Sequence, residues 1–460
     1  MIKTREIDFT IGPILKKMIL YALPIIGVNV LQLLFTMADL SVLGIFTKND
    51  NAIAAVGAVT PIINLCIGFF TGLSAGANVL LARSVGAHDM EKSRKLVGIS
   101  VTLSITCGLF LMIAGLLLAE QMLLWTNCAP TVLPYAATYL RIYFLGMPII
   151  MLYNFCAAIL RSVGDTVRPL IFLVIGGVLN VILNILFIVV VGWDIEGVAI
   201  ATVVSNAVSG ICAFVLIIKN EGYAKLEKKN IGFSRKEMLE IFQIGLPIAL
   251  SKCLFSFANV LVSTELNTLG DVAMTAQSIT KEFDGFILEA LHGVAAATLA
   301  VTSQNYGAKK LVRIKRVMYI SLLINTIISL TLGLILILFG RILCGIMTET
   351  QAVLDLCMVR ITTVSIFYIV LGTLQVIQET IRGIGYSFTS ILISIFANVI
   401  FRFIYLGFIY PFLLIEGNLA YNLRMLYIVY PACWSSALIV AIVVLVILYR
   451  KVKNRLENEQ

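Results

Sequence analysis

Residues 21–46 read YALPIIGVNVLQLLFTMADLSVLGIF. As a helix this run is long enough to cross the hydrocarbon core of a bilayer. Its second half nonetheless carries a carboxylate, Asp39. Asn29, Gln32, Thr36 and Asp39 stand at i, i+3, i+7 and i+10, which places them within about 80° of one another on a helix, as one polar stripe. Pro24, near the start, removes a backbone donor and permits a bend. An ionised Asp near the middle of a membrane costs roughly 2.5–3.5 kcal/mol on insertion scales. An acid in that position is a functional-site candidate by default, and what it does depends on what surrounds it.

Working outward, the composition is that of a polytopic membrane protein. Of 460 residues, 60% are hydrophobic and only 13% charged, with a mean hydropathy of +1.00, where a soluble domain carries about 25% charge. The formal charge of +9 does not indicate a nucleic-acid partner, because the basic residues lie in short loops between apolar spans. Nine Cys are scattered mostly through apolar runs without a CxxC pair, as expected of small buried residues rather than metal or redox ligands. No nucleophile constellation, phosphate loop or cofactor motif is present, so neither an enzyme nor a cofactor is expected. The first apolar run is too long for a signal-peptide core and reads as a membrane helix.

Twelve spans are expected, near 18–46, 52–82, 96–120, 133–160, 169–192, 197–218, 239–268, 272–302, 317–340, 354–381, 387–413 and 426–449. The segment before the first, with Lys3, Arg5, Lys16 and Lys17 around DFTIGPIL, reads as an interfacial lead-in. With the N-terminus inside, cytoplasmic segments hold 26 of the 34 Lys and Arg, and the outer loops hold three: Lys48, Arg341 and Arg424. That asymmetry places both termini in the cytoplasm of a multi-pass cell-membrane protein.

The stretch KNEGYAKLEKKNIGFSRKE, 219–237, divides the chain into residues 1–218, a six-helix N-terminal bundle, and 238–460, a six-helix C-terminal bundle with a cytoplasmic tail. The halves repeat. GLPIAL (245–250) echoes ALPIIG (22–27), SQNYGAKK (303–310) echoes ARSVGAHD (82–89), TIRGIGYS (380–387) echoes ILRSVGDT (159–166), and FANVIFR (396–402) echoes VLNVILN (178–184). With six helices each, both halves enter from the same side. The fold class is therefore all-α, two parallel repeats with a binding cavity expected between them.

These motifs, in this order and twice over, resemble the multidrug and toxic compound extrusion (MATE) family. The resemblance implies two six-helix bundles in a V shape. It also implies secondary antiport of organic cations or drugs against H⁺ or Na⁺, with a cation site inside the N-terminal bundle. Small, cationic amphipathic solutes and membrane lipid are then the expected partners, and a monomer the expected state. The family maps cation ligands to helix 5, where Asn180 and Asn184 share a face at i, i+4. With Asp39 and with Thr202 of helix 6, they would offer Na⁺ an all-oxygen site. Some members carry an acid where this chain has Asn184, so a single carboxylate leaves proton coupling open beside Na⁺.

For Asp39 two readings stand: a core hydrogen bonder, or an acid that binds a proton, a metal ion or a cationic substrate. Asn29, Gln32, Thr36, Asn154, Glu282 and Glu289 are the candidate residues for a substrate cavity, and Pro24 for bending. The second half drops the acid: Asp39 aligns with Val262, Thr36 with Asn259 and Asn184 with Arg402. Helix 8 is the charged one, with Lys281, Glu282, Asp284, Glu289 and His292. Lys281 and Asp284, at i, i+3, can pair, and with Lys252, Arg402 and Glu379 they would form one network. The cationic Arg402, Lys252 and Lys281 leave a second function open, a lipid-linked saccharide flippase of similar architecture.

Overall fold

The computed structural model describes residues 6–47 and 50–458. Lys3 and Arg5 of the expected lead-in, and Lys48, lie outside them. The described residues contain helices and no strand. In chain order the spanning elements are α1 (Ile14–Phe46), α2 (Asp50–Gly86), α3 (Met90–Trp125), α4 (Leu133–Leu145 with Met147–Ser162), α5 (Val167–Val191) and α6 (Ile195–Lys219). They continue with α7 (Arg235–Asn267), α8 (Asp271–Gly307), α9 (Leu311–Gly345), α10 (Gln351–Gly383), α11 (Ser387–Leu413) and α12 (Leu419–Asn458). Eleven are continuous and long and apolar enough to cross a bilayer. The two segments of α4 make a twelfth span, bent by 52° at Gly146. Pro148, at the start of the second segment, lacks a backbone donor and suits a helix beginning rather than a helix interior. Most helices run several residues past the hydropathy boundaries, because hydropathy marks the stretch in hydrocarbon whereas a helix continues into the interface.

The repeat is written into the turns. His88 and Lys309, both after a Gly-Ala pair, adopt φ of 56°, and Gly164 and Gly385 adopt 90° and 108°. Each pair is one repeat apart.

By packing, the chain forms two compact units. The first holds the residues up to Ile11 and Leu23–Ala249; the second holds Gly12–Ala22 and Leu250–Gln460. Two helices are thus shared. The first nine residues of α1 belong to the second unit, and α7 belongs to the first unit as far as Ala249. Both changes fall beside a proline, Pro24 and Pro247. In the first unit the contact of α2 with α7 is backbone to backbone. A Cβ on Gly72 would lie 2.4 Å from the Ala249 Cα, and one on Gly76 would lie 2.6 Å from the Gly245 nitrogen. Small residues permit this approach in the membrane, where van der Waals packing replaces a hydrophobic drive. In the second unit Met18 and Tyr21 are fully buried, and the Arg313 guanidinium donates to the Gly12 carbonyl at 3.1 Å.

The stretch 219–237 packs on the first unit. Arg94 pairs with Glu227 at 2.7 Å and donates to the Glu221 carbonyl at 3.0 Å, while Lys95 pairs with Glu237. Lys229 and Arg94 hold the Glu227 carboxyl below the usual carboxylate range. The lead-in differs from a loose amphipathic segment. Phe9 and Thr10 are buried, Ile7 N–H donates to the Val163 carbonyl at 2.9 Å, and Glu6 accepts from Tyr223 N–H at 3.0 Å.

Candidate functional site

In the first unit, helix packing sets the register of the site. Phe35 of α1 lies over Gly177 of α5 so closely that a Cβ there would sit 1.9 Å from the ring. One turn further along α1 stands Asp39, and two turns further along α5 stands Asn184. The Asn184 amide donates to Asp39 Oδ1 at 2.6 Å and to Asn180 Oδ1 at 3.3 Å. Asn180 in turn donates to Thr202 Oγ1 at 3.3 Å, and Thr202 donates to the Val198 carbonyl of its own helix at 2.9 Å. The four residues named from the sequence therefore form one connected chain across α1, α5 and α6.

Both Asn are buried and Asp39 is half-buried. Asn184 Oδ1 is enclosed yet accepts no hydrogen bond. No base forms an ion pair with Asp39 among the described residues: Arg141, the one base of the first six spans that lies away from the span ends, pairs with Glu120 at 2.8 Å. The chain of oxygens ends on aromatic residues. Tyr139 lies beside Thr202, and Tyr143 stacks on Tyr139 at 6.2 Å. Both rings are buried and close enough to sense the Asp39 charge. The sequence did not single out these aromatics; their i, i+4 spacing ahead of the α4 bend is the signal that could have placed them here. Among the described residues no group of three His, Cys, Asp or Glu could hold a metal. The donor set here is one carboxylate with neutral oxygens, which suits a proton or a hard monovalent cation rather than a transition metal.

The other candidates are spread along the same helices. Asn29 is half-buried; Gln32 and Thr36 are exposed, with the Thr36 hydroxyl donating to the Gln32 carbonyl at 3.0 Å. Asn154 donates to Ile150 O of its own helix at 2.9 Å. Pro24 lies inside the unbroken α1.

In the second unit the expected single charged network is corrected. Asp284 pairs not with Lys281 but with Arg360 of α10, at 3.1 Å to Nε and 2.5 Å to Nη2. Lys281 is exposed. An intrahelical pair is available on any helix, but a buried guanidinium on the facing helix offers a bidentate geometry that Lys cannot match. Arg360 also donates to Gln277, whose oxygen accepts from Tyr427 at 2.9 Å. Arg360 was missed at the sequence level, although a base inside an apolar span is as conspicuous as Asp39. Glu379 forms a local pair with Arg382. Glu289, half-buried, lies 3.7 Å from His292, and Glu282 is half-buried.

The site belongs to the first of two copies of one pattern, and the MatE family profile matches both copies, over residues 24–186 and 247–406. The chain belongs to the MatE family. Its members are transporters, and this protein is a multi-pass membrane transporter rather than an enzyme. It is 25% identical over 390 residues to the probable multidrug resistance protein YoeA of Bacillus subtilis (strain 168), covering 83% of this chain and 84% of YoeA. It is 23% identical over 387 residues to the multidrug export protein MepA of Staphylococcus aureus (strain bovine RF122 / ET3-1), covering 84% and 82%. Among solved structures it matches a MATE crystal structure in the bent conformation with a TM-score of 0.90 and 23% identity, over 99% of this chain and all of that one. This MatE chain thus has the twelve-helix, two-repeat fold.

Proposed function

We propose that this protein is a secondary active multidrug efflux antiporter of the cell membrane. It exports cationic amphipathic solutes in exchange for H⁺ or Na⁺, with both termini cytoplasmic as the basic loops require. The observation that carries the reading is Asp39: a carboxylate in a membrane helix, without a base, hydrogen-bonded by one amide whose own oxygen is unpartnered.

The amide supplies a two-position device. With Nδ2 toward Asp39, Asn184 donates to the carboxyl group and no cation is needed. Turned over, its Oδ1 joins Asp39, Asn180 and Thr202 as oxygen ligands for a cation. A proton on Asp39, or Na⁺ held by that set, removes the net negative charge of the site. Helix α1 then re-forms its hydrogen bonds, and Pro24 is where it bends. Asn29, Gln32 and Thr36, on the Asp39 stripe, are assigned to solute contact together with Asn154, Glu282 and Glu289. The flippase reading keeps two of its three bases, since Lys252 and Lys281 are exposed while Arg402 is enclosed.

The test is efflux by proteoliposomes with the Na⁺ and pH gradients imposed separately. Wild-type protein pumps with one of them, and Asp39→Asn pumps with neither. Retention of gradient-driven efflux by Asp39→Asn removes Asp39 from the coupling role.

A further inference from the structure

Arg402 of α11 is the largest fully buried side chain among the described residues. It makes one hydrogen bond, from Nη1 to Asn259 Oδ1 at 3.0 Å, and lies over the Tyr430 ring at 4.9 Å. The sulfur of Cys433 lies beside it. Nε and Nη2 have no acceptor, and no carboxylate among the described residues stands within ion-pair distance. The nearby acid is committed elsewhere. Asp284 accepts twice from Arg360 and lies beside Tyr368. Arg360 lies 5.7 Å from the same Tyr430 ring, so two guanidinium groups approach one aromatic ring while the carboxylate pairs with only one of them.

A second orphan stands on the same aromatic cluster. Trp434 is 4% exposed, its ring is 5.7 Å from that of Tyr430, and its indole N–H has no acceptor. Indole N–H and guanidinium groups are donors only. The cluster therefore has three donor atoms without an acceptor and one positive charge without a carboxylate partner among the described residues. A charge enclosed without a partner is expensive in any interior and more so in a membrane. The helix is also widened on both sides of Arg402, with π-helical turns at Phe396–Phe401 and Tyr405–Ile409, a departure frequent at functional sites.

We propose that the second unit contains a binding site for a small monovalent anion of halide size, held by Arg402 Nε and Nη2 and by the Trp434 indole N–H. The enclosure of both residues limits the occupant to an ion rather than a bulky solute. The site is independent of which cation the first unit carries, and its failure would leave the antiport reading untouched.

The test uses the full chain purified in detergent. Thermal denaturation is followed in sodium chloride or bromide and in sodium gluconate or acetate at equal ionic strength, and crystals grown in bromide are examined for anomalous scattering. The expected results are a higher denaturation midpoint in either halide, and a bromide peak against the Arg402 guanidinium. The halide response should be lost in Arg402→Gln and weakened in Trp434→Phe, which keeps an aromatic ring and removes the donor. If Arg402→Gln does not fold, the wild-type salt series and Trp434→Phe still decide. Equal midpoints in all four salts with no bromide peak overturn the proposal, as does a midpoint raised by acetate alone.

Discussion

Asp39 and Arg402 occupy related places in the two repeats and are opposites. In the first unit a carboxylate on α1 is met by the Asn184 amide of α5. In the second, the repeat position of Asn184 is Arg402, which reaches back to Asn259 of α7, the repeat position of Thr36. The position of the acid itself is Val262, fully buried. One unit therefore holds a negative charge that can be cancelled by a mobile cation, and the other a positive charge that cannot be removed at any attainable pH. A permanent cation cannot be exchanged across a membrane. The difference teaches that the two copies share a scaffold but not its charge: the acid to which the proposed exchange is assigned is present only in the first.

Four substitutions break or sharpen that contrast. The largest effect is expected from Arg360→Leu, which strands Asp284 in the second unit. Breaking a buried pair by removing one partner costs about 3–5 kcal/mol, measurable as a large fall in the denaturation midpoint, and Arg360→Leu with Asp284→Leu should recover most of it. A single variant as stable as wild type would mean that the pair is not enclosed as described. Next comes Asn184→Arg, which writes the second-unit residue into the first unit. A guanidinium there neutralises Asp39 permanently, and gradient-driven efflux should fall roughly 10- to 100-fold, the equivalent of a charge-assisted hydrogen bond, with normal membrane expression. Efflux that survives would show that Asp39 need not change its charge.

The converse change, Val262→Asp, places an acid at the repeat position of Asp39 and supplies the carboxylate that Arg402 lacks. It should abolish the halide dependence of stability and leave efflux within about twofold, and a persisting halide response would separate the two sites in space. The smallest effect belongs to Arg141→Ala. Its pair with Glu120 is exposed on both sides, and such pairs contribute about 0–1 kcal/mol, so neither stability nor efflux should move measurably. A large change would give Arg141 a role in the Asp39 site after all.

The apolar spans, the repeat and the four residues of the hydrogen-bonded chain around Asp39 were legible because each depends on one helix at a time or on the offset between copies. Asp39 is conspicuous against Leu and Val, and Asn180 with Asn184 mark a face by their spacing alone. What was not legible depends on the facing helix. Asp284 had a partner three residues away in the sequence, Lys281, and its actual partner, Arg360, lies on α10. Tyr139 looked like any aromatic residue in a span until the 52° bend of α4 brought it beside Thr202. The sharing of α1 and α7 between units was hidden for the same reason. Pro24 and Pro247 were visible, but hydropathy carries no record of which bundle a helix segment packs against.

That sharing has a consequence for synthesis. The first unit includes α7 as far as Ala249, with Gly72 and Gly76 shaped to receive it, so it stays incomplete until the ribosome has passed residue 249. The segment Gly12–Ala22, among the first to emerge, has its packing partners in the half translated last. The order of translation and the order of assembly therefore run crosswise, and neither half of the gene alone encodes all of the unit that it begins.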